Sequence, residues 1–179
     1  MTMTDTAQDQ ARAQFESVAA MVARLEHSQE CNERNGGECD ITDAVICDAL
    51  GVYISDPDGH VTDDEWEDYH DPVHAAEAID EHPLSVQVRE GWHSPGENLP
   101  PAEFEILLCT GGPAVRMRGT LLDPDSQPGN PRLEYQDWGT PWTEYRHITM
   151  PPDPETIVAE LHRYRETLLA YARQFYFGE

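Results

Sequence analysis

The chain contains no lysine: all eleven of its basic residues are arginine, against 35 aspartates and glutamates. Its formal net charge of −24 has the sign that repels nucleic-acid phosphates and anionic membrane surfaces. Direct binding of nucleic acid or of a membrane surface is therefore disfavoured. A GC-rich genome that encodes arginine in place of lysine would account for the absence of lysine, but it would not account for the excess of acids.

Long apolar runs are also lacking, since none approaches the ~18 residues that a membrane-spanning helix needs. The first ten residues have neither the basic nor the apolar region of a secretory signal. We therefore expect a cytoplasmic protein whose four cysteines are reduced thiols. A length of 179 residues predicts one domain overall, with an N-terminal helical segment (1–51) followed by residues 52–179.

The hydrophobic periodicity predicts an α+β fold. Apolar residues at helical spacing indicate helices over 7–27, from Asp40 to Leu50, from Asp71-Pro72 to before Pro83, and over 154–176. Alternation at period two predicts strands at Leu84–Trp92, Phe104–Thr110, Ala114–Leu122, Arg132–Trp138 and Thr143–Thr149. We expect an antiparallel sheet of about four to five strands, with N-terminal helices and a long C-terminal helix packed on the sheet.

The negative charge is concentrated in residues 56–81, which we call the acidic segment. Residues 1–100 have a net charge of −19 and residues 101–179 a net charge of −5. The acidic segment contains no arginine and eleven acids: Asp56, Asp58, Asp63, Asp64, Glu65, Glu67, Asp68, Asp71, Glu77, Asp80 and Glu81. We predict that it comprises a hairpin turn at Asp56-Pro57-Asp58-Gly59, an acidic linker and the start of a short helix.

Three patterns in the chain bear on metal binding. Ile54–Glu65 can be aligned with a calcium-binding loop that has Gly59 at its sixth position, but Ile54 stands where the first ligating Asp belongs. His70 and His74 are four residues apart, and Pro72 between them at a helix start favours separate faces. We therefore expect no calcium site and no histidine ligand pair.

The spacing of three cysteines is the third pattern. Cys31, Cys39 and Cys47 recur every eight residues, whereas paired cysteines of structural zinc sites are usually separated by two to four. Cys47 is expected in the core, and Cys31 and Cys39 are expected to flank a Gly-Gly loop as thiols. The spacing does not favour a metal site, and we expect no cofactor.

No catalytic motif is present, and we expect no enzymatic activity. Cys109 precedes Gly111-Gly112, where a nucleophile could lie, but another strand follows instead of a helix start. A buried strand cysteine is the favoured interpretation. An enzyme would need the sheet to bring together His93, His147, Glu134 and Cys109.

Aromatic residues offer a different kind of candidate site. Trp138 and Trp142 flank a Gly-Thr-Pro turn, and Trp66 lies inside the acidic segment. Aromatic side chains dominate the energetics of many protein interfaces, so these three are candidate anchors for a protein partner. The candidate partner-binding carboxylates are Asp56, Asp58, Asp63, Asp64, Glu65, Glu67, Asp68 and Asp71.

Three runs of the sequence carry a resemblance: Leu108–Arg116 (LCTGGPAVR), Leu133–Trp142 (LEYQDWGTPW) and Tyr171–Glu179. They resemble a family of uncharacterised accessory proteins carried by phages and integrative elements of GC-rich bacteria. The resemblance covers about the last 110 residues and implies an origin in a mobile element. It implies no catalytic residue.

Charge and resemblance together favour an anti-defence inhibitor of the anti-CRISPR or anti-restriction type. Carboxylates on a rigid scaffold can take the place of DNA phosphates in the groove of a basic, nucleic-acid-binding host protein. Two alternatives stay open: an accessory protein whose acidic surface is merely solvated, and a small hydrolase or metal-binding protein.

Overall fold

The structure is a computed structural model that describes residues 3–33, 39, 41, 43–50, 61–97, 99–122, 127–147 and 154–177. It has five helices, α1 Met3–Glu33, α2 Asp43–Leu50, α3 Asp63–His70, α4 Pro72–Glu81 and α5 Pro154–Ala172. Five strands form one sheet: β1 Ser85–Glu90, β2 Pro101–Cys109, β3 Ala114–Leu122, β4 Gln127–Gln136 and β5 Thr143–Tyr145. The predicted α+β class is confirmed.

The sheet is an antiparallel meander in which the strand order follows the chain order, β1-β2-β3-β4-β5. The predicted strand Ala114–Leu122 has the observed bounds of β3. Strand β4 begins at Gln127, earlier than predicted, although it contains Pro128 and Pro131. Strand β5 pairs with Leu133–Tyr135. Among the described residues both prolines therefore lie where β4 is an edge, the position in which a sheet tolerates a missing N–H.

The chain forms two compact units. Unit 1 comprises Met1–Val18 and His82–Glu179, and unit 2 comprises Ala19–Glu81. The sequence-based division at residue 51 stays a prediction. None of the described helices has the length and apolar composition needed to cross a membrane.

Unit 1 has its core on one face of the sheet, where α5 and the first half of α1 pack. Alternate residues of the strands supply the apolar side, and Phe104, Met117 and Leu133 are almost fully buried there. Tyr164 of α5 fixes the helix to the sheet, because its hydroxyl donates to the carbonyl of Tyr145 (2.7 Å) and accepts the N–H of Leu133 (3.3 Å). The apolar face of the sheet can be predicted from the sequence because the alternation of apolar and polar residues along a strand is a local pattern.

The other face of the sheet carries arginines and glutamates paired across the strands. Arg116 contacts Glu105 on β2 and Glu134 on β4, at 2.9 and 2.8 Å. Glu103 accepts hydrogen bonds from Arg89 and Arg118, and the bond from Arg89 is the main reason that its pKa is lowered. The indole of Trp142 packs against Arg116, with 3.9 Å between the guanidinium carbon and the ring centroid.

Unit 2 is helical, and it contains one element that the sequence reasoning missed. Residues 63–70 were predicted as an acidic linker but form helix α3, which begins at a capping box. The Thr62 hydroxyl accepts the N–H of Glu65 (3.3 Å), and the Glu65 carboxylate accepts the N–H of Thr62 (2.8 Å). The prediction of a linker was wrong because three acids in a first turn stabilise a helix there. Helix α4 begins at Pro72, as predicted, and Asp71 caps it.

Candidate metal centre and acidic surface

Four side chains of unit 2 converge on one point: His27, Cys31, Cys39 and His70. One potential ligand atom from each lies within 4.8 Å of all the others. The Nε2 atom of His27 is 3.2 Å from the sulfur of Cys39 and 3.3 Å from the sulfur of Cys31. The Nε2 atom of His70 is 3.3 Å from the sulfur of Cys39. All four residues are half-buried. We call them the Cys2His2 cluster.

Helix geometry supplies half of the cluster. His27 and Cys31 are four residues apart on α1, so that both side chains project from one face of the helix, one turn apart. His70 is the last residue of α3, and Cys39 follows the end of α1 after residues outside the described part of the chain. The cluster therefore joins the end of α1 and the nearby Cys39 to His70, which lies 31 residues after Cys39.

The imidazole of His70 is oriented by its surroundings. Its Nδ1–H donates to the backbone carbonyl of Trp66 one turn earlier, at 2.8 Å. This assignment leaves the lone pair on Nε2, the atom that faces Cys39. The indole of Trp66 stacks on the same ring, with centroids 4.4 Å apart. Two independent contacts thus hold the ring with Nε2 directed into the cluster.

A buried arginine fastens α3 to α1 next to the cluster. Arg24, one turn before His27, is only 8% exposed. Its guanidinium donates to the carbonyls of Asp68 (2.7 Å) and Tyr69 (3.3 Å), which belong to the last turn of α3. Carbonyls in the last turn of a helix lack the partner that the next turn would supply, and a cation is favoured at that end of the helix dipole. The Asp68 carbonyl also accepts the N–H of Asp71, at 3.3 Å. Arg24 therefore fixes where the last turn of α3 lies against α1.

The Cys2His2 cluster combines residues that belong to separate patterns in the sequence. His70 and His74 do not form a ligand pair: His74 Nδ1 lies 2.6 Å from the Asp68 carboxylate, while His70 joins the cluster. The usual spacing of paired cysteines in zinc sites says nothing about histidine ligands, so it does not predict the contribution of His27 and His70. The signal that could have indicated the site is the His27–Cys31 spacing of four on a predicted helix. The side chain of Cys47 lies outside the described residues.

The acidic segment is described from Val61 onward, and Asp56, Asp58, most of the calcium-loop alignment and the predicted hairpin turn lie outside the described residues. Six of its nine described acids are exposed on α3 and α4: Asp63, Asp64, Glu67, Glu77, Asp80 and Glu81. The other three make local contacts, since Glu65 closes the capping box, Asp71 caps α4 and Asp68 contacts His74 and Arg24.

The tryptophans occupy different environments. Trp66 is half-buried against His70, and Trp142 packs against Arg116. Trp138 is 73% exposed, and its indole occupies the space into which a Cβ at Gly112 would project. Gly112 has a φ of +82°, so the turn between β2 and β3 both needs glycine and accommodates the ring of Trp138. Trp138 is the one of the three that is open to solvent.

The four residues of the enzyme hypothesis each have other partners. Glu134 is held by Arg116 and Arg132, and His147 packs on Phe15 with centroids 4.7 Å apart. His93 lies 3.2 Å from Glu90 beyond the end of β1. Burial raises the pKa of Cys109, which favours the thiol over the nucleophilic thiolate.

The chain thus combines an α+β fold with a Cys2His2 cluster and an acidic surface. Comparison of the chain with protein-family models, with curated protein sequences and with solved structures found no significant match. The resemblance to accessory proteins of mobile elements therefore stays a prediction.

Proposed function

We propose that the chain is a non-enzymatic inhibitor that binds a basic, nucleic-acid-binding host defence protein through the acidic segment. The observation behind the proposal is the placement of acids on two consecutive helices. Between Val61 and Glu81 the chain has nine carboxylates and no arginine, and six of those carboxylates are exposed. The proposal places the protein in the cytoplasm, with an origin in a phage or an integrative element.

The contrast with the sheet supports this choice of surface. On the polar face of the sheet each of Glu103, Glu105 and Glu134 contacts at least one arginine, so the carboxylates there are neutralised locally. Exposed carboxylates that lack such compensation produce a negative potential that steers a basic partner toward them. Carboxylates in the place of DNA phosphates would block the groove of a restriction or CRISPR nuclease by one-to-one binding.

The test compares two charge-neutralised variants. The first, Glu67→Gln/Glu77→Gln/Asp80→Asn, removes three exposed charges that lie outside the first turns of α3 and α4, where acids stabilise a helix. The second, Asp9→Asn/Glu16→Gln/Glu166→Gln, removes three exposed charges from α1 and α5 and serves as the control. Inhibition of DNA cleavage is measured with purified restriction and CRISPR nucleases, together with association rates at low and physiological salt.

We expect the first variant to lose inhibition and the second to retain it. The association rate of the wild-type chain should fall about tenfold or more as salt rises, because steering by charge is screened. Association that is indifferent to salt, equal inhibition by both variants, or a native pull-down from host lysate that recovers no nucleic-acid-binding protein would contradict the proposal.

A further inference from the structure

We infer that His27, Cys31, Cys39 and His70 bind one Zn²⁺ ion in a tetrahedral structural site within unit 2. Two thiolates and two imidazoles are a ligand set typical of structural zinc. The inference rests on the geometry of the cluster alone and is independent of the proposed function.

The distances fit a four-coordinate site. With Zn–S of about 2.3 Å and Zn–N of about 2.0–2.1 Å, a tetrahedron has sulfur-to-nitrogen edges of about 3.6 Å. Three such edges measure 3.2, 3.3 and 3.3 Å between histidine Nε2 atoms and cysteine sulfurs. Shifts of a few tenths of an ångström bring these three pairs to the ideal separation, and the other three pairs of ligand atoms lie within 4.8 Å of each other.

The surroundings of His70 match those of a metal ligand. A ligating histidine almost always donates its second ring N–H to a carbonyl or carboxylate, which fixes the tautomer and makes the ligating nitrogen more basic. The hydrogen bond from His70 Nδ1 to the Trp66 carbonyl does this and leaves Nε2 for the metal.

The types of ligand indicate which metal ion the site binds and whether that ion is structural or catalytic. Soft thiolates favour zinc over calcium or magnesium, which prefer oxygen ligands. Binding would release the two thiol protons of Cys31 and Cys39, and the two thiolates would balance the charge of Zn²⁺. Four protein ligands complete the tetrahedron and leave no position for water or substrate, so that the ion is structural and not catalytic.

The ion would cross-link the helices of unit 2. His27 and Cys31 belong to α1, and His70 ends α3, whose first two turns present Asp63, Asp64 and Glu67 to solvent. Helix α3 has only eight residues, and an isolated helix of that length is unstable in water. Zinc would therefore be a main reason that α3 keeps its place against α1.

The experiment measures zinc in the full-length chain, purified with reductant and without a histidine tag. The variants His70→Gln and Cys39→Ser each remove one ligand. Their controls, His74→Gln and Cys109→Ser, change the same residue types at positions outside the cluster. Zinc content is determined by mass spectrometry of the metal, and Co²⁺ is titrated into chelator-treated wild-type chain as a spectroscopic probe.

We expect one zinc ion per wild-type chain and per control chain, and a zinc affinity at least tenfold lower in the ligand variants. Co²⁺ should give the visible bands of tetrahedral coordination and the near-ultraviolet bands of thiolate ligation. Zinc-free wild-type chain, controls that lose zinc as the ligand variants do, octahedral cobalt spectra or a Cys31–Cys39 disulfide under reducing conditions would overturn the inference.

A hydrogen-exchange measurement covers the case in which a ligand variant fails to fold. Chelation of the wild-type chain should deprotect the amides of Asp63–His70 while those of β2 and β3 stay protected. The effect should reverse when Zn²⁺ is restored. Protection of α3 that does not change on chelation would also overturn the inference.

Discussion

The two units of the chain differ in net charge and in how their charged side chains are paired. Unit 2 has 18 acids against Arg24 and Arg34, a net charge of −16, while the rest of the chain has 17 acids and nine arginines. In unit 1 Arg89, Arg116 and Arg118 of the sheet pair with glutamates on neighbouring strands, and the opposite face of the sheet is apolar. In unit 2 most described acids of α3 and α4 face solvent, and the helices are joined by Arg24 and the Cys2His2 cluster.

The difference shows two ways to hold secondary structure together. In unit 1 the sheet and α5 bury an apolar face between them. Unit 2 also has buried apolar side chains, Ile46 and Ile79 among them, but its short, acidic helices are joined in addition by specific polar contacts. We therefore expect the clearest effect of lost packing in the core of unit 1, and the clearest effect of a lost polar contact in unit 2.

The largest expected effect is on the core of the sheet unit. Leu133 is completely buried on β4, so that Leu133→Ala leaves a cavity and should lower the free energy of unfolding by about 2–5 kcal/mol. Thermal or urea denaturation followed by tryptophan fluorescence measures the change. Zinc content should stay that of the wild type, since the cluster lies in the other unit. A loss of zinc in a still-folded Leu133→Ala chain would show that the two units are not independent.

A smaller, local effect is expected at the contact between α1 and α3. Arg24→Met keeps much of the side-chain volume but removes the guanidinium donor of the Tyr69 carbonyl and one of two donors to the Asp68 carbonyl, which also accepts the N–H of Asp71, at a cost of about 1–3 kcal/mol. Hydrogen exchange of the amides in α3 should report it, with β2 and β3 unchanged. The control is Arg12→Met on the same helix, an exposed arginine that contacts Asp9 and the hydroxyl of Tyr145 and should contribute less, about 0–1 kcal/mol. Equal effects of the two variants would contradict the role assigned to Arg24.

The smallest expected effect is a pH dependence within unit 1. Burial lowers the pKa of His82, whose Nδ1 lies 2.8 Å from the hydroxyl of Tyr171. Below the ordinary value of 6.5 the unfolded chain binds a proton that the folded His82 resists, so stability falls as pH falls from 6.5 toward the lowered pKa. His82→Asn, which can keep the bond to Tyr171, should flatten the unfolding curve against pH between 6.5 and 4.5.

The pH range separates this effect from that of the carboxylates. Glu103 has its pKa lowered below the ordinary 4.5 by the hydrogen bond from Arg89, so its contribution to stability is present above pH 4.5 and is lost only as pH falls through the lowered pKa. A His82→Asn chain with the same slope as the wild type above pH 4.5 would show that His82 does not determine the slope.

The fold could be predicted from the sequence to the extent that its signals are local. The period of two in Val115, Met117 and Gly119 and the helical spacing of Tyr164, Leu168 and Phe175 predicted a strand of the sheet and α5. The capping box at Thr62–Glu65 is equally local, but a run of acids is typical of a solvated linker as well as of a helix start. The sequence does not predict the start of β4, because prolines are as typical of a turn as of the edge of a sheet.

The sequence by itself determined the charge, the sheet, the terminal helices and the location of the acidic segment, because composition and periodicity need no knowledge of distant neighbours. Tertiary structure alone decided that His27 and Cys31 meet Cys39 and His70. The sequence separation between Cys39 and His70 is 31 residues. Only the packing of α3 against α1, with Arg24 at the junction, brings the histidine and the sulfur within 3.3 Å.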